Sequence, residues 1–252
     1  MQHVEAFQRM QDSFVPDAIK SINKAIDKQV NAAADAVASG ADWTSAVDRN
    51  SDAMMQAFRE IYSVVFPYFA GQFYNAVESK TKDFGPDDLA TWETLVEDWL
   101  SVSGAQKVTQ VDAYTKSVIA QVISNAYAID PETGGRLGRL SALETAKLLQ
   151  EKFGDMKAYR AERIARTEIN SAANWGHSEG AKSISANTGL QLRKTWMAVA
   201  DNRTRDSHSE IDGEEVMDDQ TFSNGLRFPG DPTGPSEEII QCRCTFVHTV
   251  VE

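Results

Sequence analysis

The sequence predicts an α+β protein: a long, mostly helical N-terminal part followed by a small C-terminal domain of helix and sheet. Three observations lead there. Apolar residues recur at three- and four-residue spacing as far as Asn187. Beyond Gly189 the β-branched and aromatic residues gather in short runs instead. Gly and Pro cluster in two stretches, 129–140 and 221–238. The expected division is a helical region at 1–128, a connector at 129–140 and a C-terminal domain at 141–252.

Taken in order, Pro16 to Gly40 opens with a proline, carries Ile19, Ile22, Ile26, Val30, Ala33 and Val37 on one face, and stops at a glycine. Trp43 to about Lys80 continues the pattern, and Pro67 is expected to kink or split it. Gly85 to Asp88 reads as a turn, and Leu89 to Tyr127 as helix with a break near Ser103 and Gly104. Ser141 and Glu144 form a capping-box pattern that opens a helix to Phe153, with Gly154 as its stop. A further helix is expected from Asp155 to Asn187. Its face of Ala161, Ala165, Ile169, Ala172, Gly176, Gly180 and Ile184 is mostly small, which lets another backbone come close. Leu192 to Ala200 reads as a strand, Asp201 to Asp212 as a polar loop, Glu214 to Val216 as a short strand, and Ile239 to Val251 as the clearest strand.

Composition narrows the function classes. A chain of 252 residues allows one large domain or two modest ones, and 42% hydrophobic with 25% charged residues is globular. Lys and Arg total 25 against 37 Asp and Glu, a net charge of −12, which excludes a generic basic nucleic-acid coat. A local basic patch stays open, from Arg136 with Arg139 or from Arg160, Arg163 and Arg166. The longest apolar run, Ile61 to Ala70, is interrupted and far short of the roughly 20 residues a bilayer needs, so no membrane segment is expected. Met1 to Glu5 shows no signal-peptide pattern. Cys242 and Cys244 make no disulfide framework, and a reducing cytoplasm is the expected compartment of synthesis.

The chemistry-bearing residues lie near the C-terminus. In a strand, Cys242, Cys244, Phe246 and His248 would share one face. Cys and His are zinc ligands, and His208, Cys242 and Cys244 are the candidate set, with a fourth ligand unknown. The spacing departs from the usual Cys-x₂₋₄-Cys knuckle, which favours two buried core thiols. The loop from Asp201 to Gly213 holds Asp201, Arg203, Arg205, Asp206, His208, Glu210 and Asp212. As an enzyme site, His208 would be a general base oriented by Asp201 or Asp212. No nucleophile elbow or phosphate loop accompanies it, so a hydrogen-bonded structural clasp is favoured, with no catalytic and no cofactor-binding residue. The helical run with Arg166, Thr167, Glu168 and Asn170 is similarly a polar cluster that fixes a helix on its neighbour. His177 reads as a surface or interface histidine. The five tryptophans, Trp43, Trp92, Trp99, Trp175 and Trp196, read as core or interface anchors. The helices from Pro16 to Tyr127 carry more aromatic residues than one small core needs, which suits docking on a partner.

One ordered series of motifs remains. ARTEIN at Ala165–Asn170 and KTW at Lys194–Trp196 come first. Asp201, Arg203-Thr204-Arg205 and His208 follow, then Asp212-Gly213. The series continues from Phe222 to Pro232 and ends in Cys242-Arg243-Cys244. It resembles the phage Mu F-like minor head proteins, which carry the phage head morphogenesis domain, over about residues 141–249. The resemblance implies a non-enzymatic virion protein, present in few copies at the portal vertex of the head. Its partners would be the portal protein and other head proteins, with weak contact to packaged DNA, and its role would be head assembly with packaging or delivery. Arg166, Thr167, Glu168, Trp196, Asp201, Arg203, Arg205, Asp212 and Gly213 would be its structural motif. Many relatives carry Cys-x-x-Cys in the loop after Arg-Thr, a zinc pattern with the terminal pair; Arg205 and His208 stand in that loop here.

Overall fold

A computed structural model of the chain describes residues 2–77, 86–126 and 140–251. The connector expected at 129–140, the turn residue Gly85 and the pair Arg136 and Arg139 lie outside the described residues, apart from Leu140. Helices come first: α1 Gln2–Asp12, α2 Val15–Ser39, α3 Trp43–Asp48, α4 Ser51–Val77 and α5 Pro86–Trp99. A π-helical turn, Leu100–Gly104, leads into α6 Ala105–Ala126, and α7 is Ala142–Thr188. The C-terminal part is β1 Leu192–Met197, α8 Asp206–Ser209, β2 Glu215–Met217, α9 Ser236–Ile239 and β3 Thr245–Val250.

Local chemistry explains most of these boundaries. Gly40, at φ +73°, ends α2, and Ile22, Ile26, Val30, Ala33 and Val37 are all buried along its length. Ser141 starts α7 as a capping box: its amide donates to Glu144 Oε2 at 2.7 Å, and the Glu144 amide donates to Ser141 Oγ at 3.2 Å. Three boundaries differ from expectation. Pro67 sits inside α4 without splitting it, because Phe66, Phe69 and Ala70 are buried on either side. The interruption falls instead at Arg49–Asn50, where the Asn50 side chain donates to the Ala46 carbonyl at 2.8 Å. Gly154 does not stop α7. It faces open space, so its cost is only the roughly 1 kcal/mol of a glycine in a helix, and the helix runs on to Gly189 at φ +71°. The break expected near Gly104 is the π-helical turn, which widens the helix without ending it.

The chain forms two compact units, each assembled from separated segments. One combines Met1–Ala18, Arg59–Trp99 and Glu162–Glu252; the other combines Ile19–Phe58 and Leu100–Ala161. In the second unit the polar interior centres on Asp112, which accepts from Gln29 Nε2 at 2.6 Å and from Ser51. Arg160 is buried there and donates to the Val111 carbonyl at 2.9 Å and to Thr115 Oγ1 at 2.7 Å.

In the first unit, the small-residue face of α7 meets the backbone of α4. A Cβ at Gly176 would lie 2.2 Å from the Phe66 carbonyl oxygen, and one at Gly180 would lie 2.5 Å from that of Ala70. Trp175 packs edge-on against Phe66 at 4.5 Å, and Tyr62 stacks on Trp99 at 4.0 Å. Phe7 of α1 packs on Phe69 at 4.7 Å. Trp92, Trp99, Trp175 and Trp196 are all buried. Among the described residues from Pro16 to Tyr127, most large aromatic side chains are buried in the fold, while Tyr68 and Tyr114 stay exposed.

The sheet has the order β2-β1-β3 and is antiparallel throughout. Trp196 stands opposite Phe246, Lys194 opposite His248 and Thr195 opposite Glu215. The terminal strand is shorter than expected. Residues 236–239 form α9, Gln241 takes φ +56°, and pairing begins only at Thr245. Cys242 and Cys244 thus precede the strand rather than sharing a face with His248.

Candidate functional site

Three buried side chains converge beneath the sheet. α8 presents His208, and the non-strand segment before β3 presents Cys242 and Cys244; the three are 1%, 3% and 2% exposed. His208 Nδ1 lies 3.8 Å from Cys242 Sγ and 3.5 Å from Cys244 Sγ. The three donor atoms all lie within 4.8 Å of one another. The other ring nitrogen, Nε2, is 2.8 Å from Glu238 Oε2 of α9, and Ser207 Oγ donates to the same carboxylate at 3.0 Å. Trp196 closes one side, edge-on to the His208 ring at 5.1 Å. Ile211, Phe222 and Leu226 complete the apolar wall. Within the thiol pair, the hydrogen bond to Cys242 and then His208 hold Cys244 below the ordinary thiol range, while that bond and burial push Cys242 well above it.

These residues can hold a metal. With zinc–sulfur bonds of about 2.3 Å and zinc–nitrogen bonds of about 2.0 Å, the sulfur–nitrogen edge of a tetrahedron is about 3.5 Å. The observed sulfur–nitrogen separations of 3.5 and 3.8 Å fit that edge.

Around this cluster the loop residues hold backbone. Asp201 accepts from the Arg203 amide at 2.9 Å, closing an Asx turn, and pairs with Arg243. Arg205 donates to the Ile240 carbonyl at 2.5 Å. Asp212 accepts from the Ala198 amide at 2.8 Å, and Gly213, at φ +82°, donates to the Trp196 carbonyl at 2.9 Å. The Arg203 side chain is 74% exposed and 3.7 Å from Asp201, so it adds little. His208, the one general-base candidate of the loop, is enclosed and has a group at each ring nitrogen.

The α7 residues bind the same region from the other side. Thr167 Oγ1 accepts from the Gln241 amide at 3.0 Å, which helps to hold the turn before Cys242. Glu168 accepts from the Tyr62 hydroxyl at 2.9 Å, deep in the core. Burial and then this carboxylate push the Tyr62 phenol well above its ordinary range. Arg166 bridges Glu162 at 2.8 Å and Asp12 at 2.7 Å on the surface. Asn170 accepts from Gln11 at 3.0 Å.

Some participants carry no sequence signal. Asn174 donates to the Cys244 carbonyl at 3.2 Å and accepts from Thr245 Oγ1 at 3.0 Å. Glu238 belongs to none of the sequence motifs. His177, expected at a surface, is buried against Phe7, Phe246 and His248. Burial and then the neighbouring His248 lower it well below the usual histidine range. His248 itself sits 2.8 Å from Asp218 and takes no part in the thiol cluster.

The helix-plus-sheet region with its enclosed Cys–His cluster lies within the stretch that a family model matches. Residues 138–247 match the profile of the family described as Phage Mu protein F like protein. The match covers 44% of the chain and supports a Mu F-like head morphogenesis domain over these residues. Over 112 residues, 44% of its length, the chain is 33% identical to a protein named NAD(+)–arginine ADP-ribosyltransferase EFV, from Enterococcus faecalis. The matched region spans 23% of that protein's length. No solved structure matches. Among the described residues, no helix is long and apolar enough to cross a membrane.

Proposed function

We propose that the chain is a minor head protein of a tailed bacteriophage, located at the portal vertex of the virion. It binds the portal protein and other head proteins, assists head assembly, and takes part in DNA packaging or delivery. The observation that carries this reading is the family match over residues 138–247. The geometry supports it in kind: the motif residues Thr167, Arg205, Asp212 and Gly213 all bind backbone and so maintain a shaped surface. The contact surface would use the large side chains that stay exposed, Tyr114, Leu143 and Tyr159 among them. Contact with DNA would be weak. The net charge is −12, Arg166 is paired with two carboxylates, and Arg160 is turned into its own unit.

A second reading is a zinc-dependent or toxin-like enzyme built on the His208 loop, and the name of the Enterococcus relative, an arginine ADP-ribosyltransferase, favours the transferase form of it. It requires His208 to meet a substrate, whereas that ring is 1% exposed. Two measurements separate the readings: mass spectrometry of purified particles of the encoding phage, and NAD turnover by the full chain with free arginine as acceptor. Presence in particles without NAD turnover is expected. Absence from particles together with turnover would replace the proposal with the second reading.

A further inference from the structure

We propose that His208, Cys242 and Cys244 form a structural zinc centre in which Glu238 is the carboxylate that orients the histidine. The proposal stands apart from the head-protein reading and would hold for any function of this domain.

The first argument is chain geometry. In a strand, residues two apart are about 6.5 Å apart, too far to share one small ion comfortably. Here Gln241, at φ +56°, turns the chain, and Thr167 and Asn174 of α7 bind the Gln241 amide and the Cys244 carbonyl. The two sulfurs are thereby brought with His208 Nδ1 into a set whose members lie within 4.8 Å of one another. Cys-x-Cys spacing, unfavourable in a strand, becomes favourable in this turn.

Ligand chemistry is the second. Two sulfurs and one imidazole nitrogen are soft donors that select zinc over magnesium or calcium. The ion would sit against the apolar cluster that includes Trp196 and Phe222.

The histidine provides the third. A metal-bound imidazole offers one nitrogen to the ion and the other, protonated, to a carboxylate. His208 is placed for this: Nδ1 faces the thiols, and Nε2 lies 2.8 Å from a Glu238 oxygen, close but outside hydrogen-bond geometry, with Glu238 itself held by Ser207. Bound there, the ion would tie α8 to the root of β3, 34 to 36 residues apart in sequence. Such a staple suits a sheet of only three strands.

The test uses the full chain, reduced and purified without chelator. Elemental analysis is expected to give one zinc per chain, and cobalt(II) substitution a thiolate-to-cobalt charge-transfer band. Cys242→Ser and Cys244→Ser should each cut the band by half or more, and the double variant should lose it. Glu238→Gln should retain it but bind zinc about 10- to 100-fold more weakly against a chromophoric chelator. If the serine variants do not fold, the wild-type cobalt spectrum alone decides the centre. A natively helical wild-type chain that binds neither zinc nor cobalt overturns the proposal, and unchanged affinity in Glu238→Gln overturns the role of Glu238.

Discussion

Asp201 and Arg243 meet as a two-pronged ion pair, with Nη1–Oδ2 at 2.6 Å and Nη2–Oδ1 at 2.5 Å. Arg243 is the residue between the two cysteines, so this pair ties the loop after β1 to the segment that carries both thiols. Arg243 first, and the Arg203 amide after it, hold the Asp201 carboxyl well below the ordinary carboxylate range.

The pair gives a signed pH dependence. A carboxyl whose pKa is depressed by folding adds stability above its unfolded value, about 3.9, and loses it as pH falls through the folded value. Asp201→Asn should therefore lower the denaturant midpoint near neutral pH. The gap to wild type should close progressively below about pH 4. Arg203→Ala, at an exposed side chain, should change stability by only about 0–0.5 kcal/mol. A pH-independent Asp201→Asn deficit would contradict the pairing.

At Gly176, α7 lies directly against the backbone of α4. A methyl there would stand 2.2 Å from the Phe66 carbonyl oxygen and 3.2 Å from the Ala70 amide nitrogen. Both obstacles are backbone, so neither can rotate away. Gly176→Ala should cost about 1–3 kcal/mol or more, measured by urea unfolding, despite alanine's better helix propensity. Gly154→Ala, which meets nothing, should instead be neutral or stabilising by up to about 1 kcal/mol.

The Tyr62 hydroxyl and the Glu168 carboxylate form a buried hydrogen bond of 2.9 Å. Tyr62→Phe removes a donor from an enclosed acid and should destabilise by about 1.5–3 kcal/mol. Arg59→Ala, which breaks an exposed pair with Glu97, should cost about 0–1 kcal/mol. Equal losses in the two variants, compared at one denaturant and temperature, would show that burial does not set the scale here.

What the sequence revealed follows the range of the forces involved. Near-neighbour signals were readable: the apolar stripe of α2, the Ser141–Glu144 box, and the small face of α7 that admits another backbone. The α+β class followed from the change in pattern after Gly189. Gly154 misled because propensity is a local preference, and a helix continues through a glycine when its flanks are held, as Leu149 and Phe153 are by burial. The Ile239–Val251 run misled because β-branched composition does not register the turn at Gln241. Asn174 and Thr245 are 71 positions apart, and Tyr62 and Glu168 are 106 apart; no spacing rule connects such pairs. The same holds for Glu238, whose place beside His208 depends on how α9 folds back.

The central claim, a place at the portal vertex of a phage head, is tested most directly by quantitative mass spectrometry of purified particles from the encoding phage. The measurement is the ratio of this chain to portal subunits in heads before and after DNA packaging. The account predicts a small, fixed ratio in portal-containing heads, with a loss at delivery if the protein leaves with DNA. Absence of the chain from both kinds of head, in a phage that expresses it, would contradict the account.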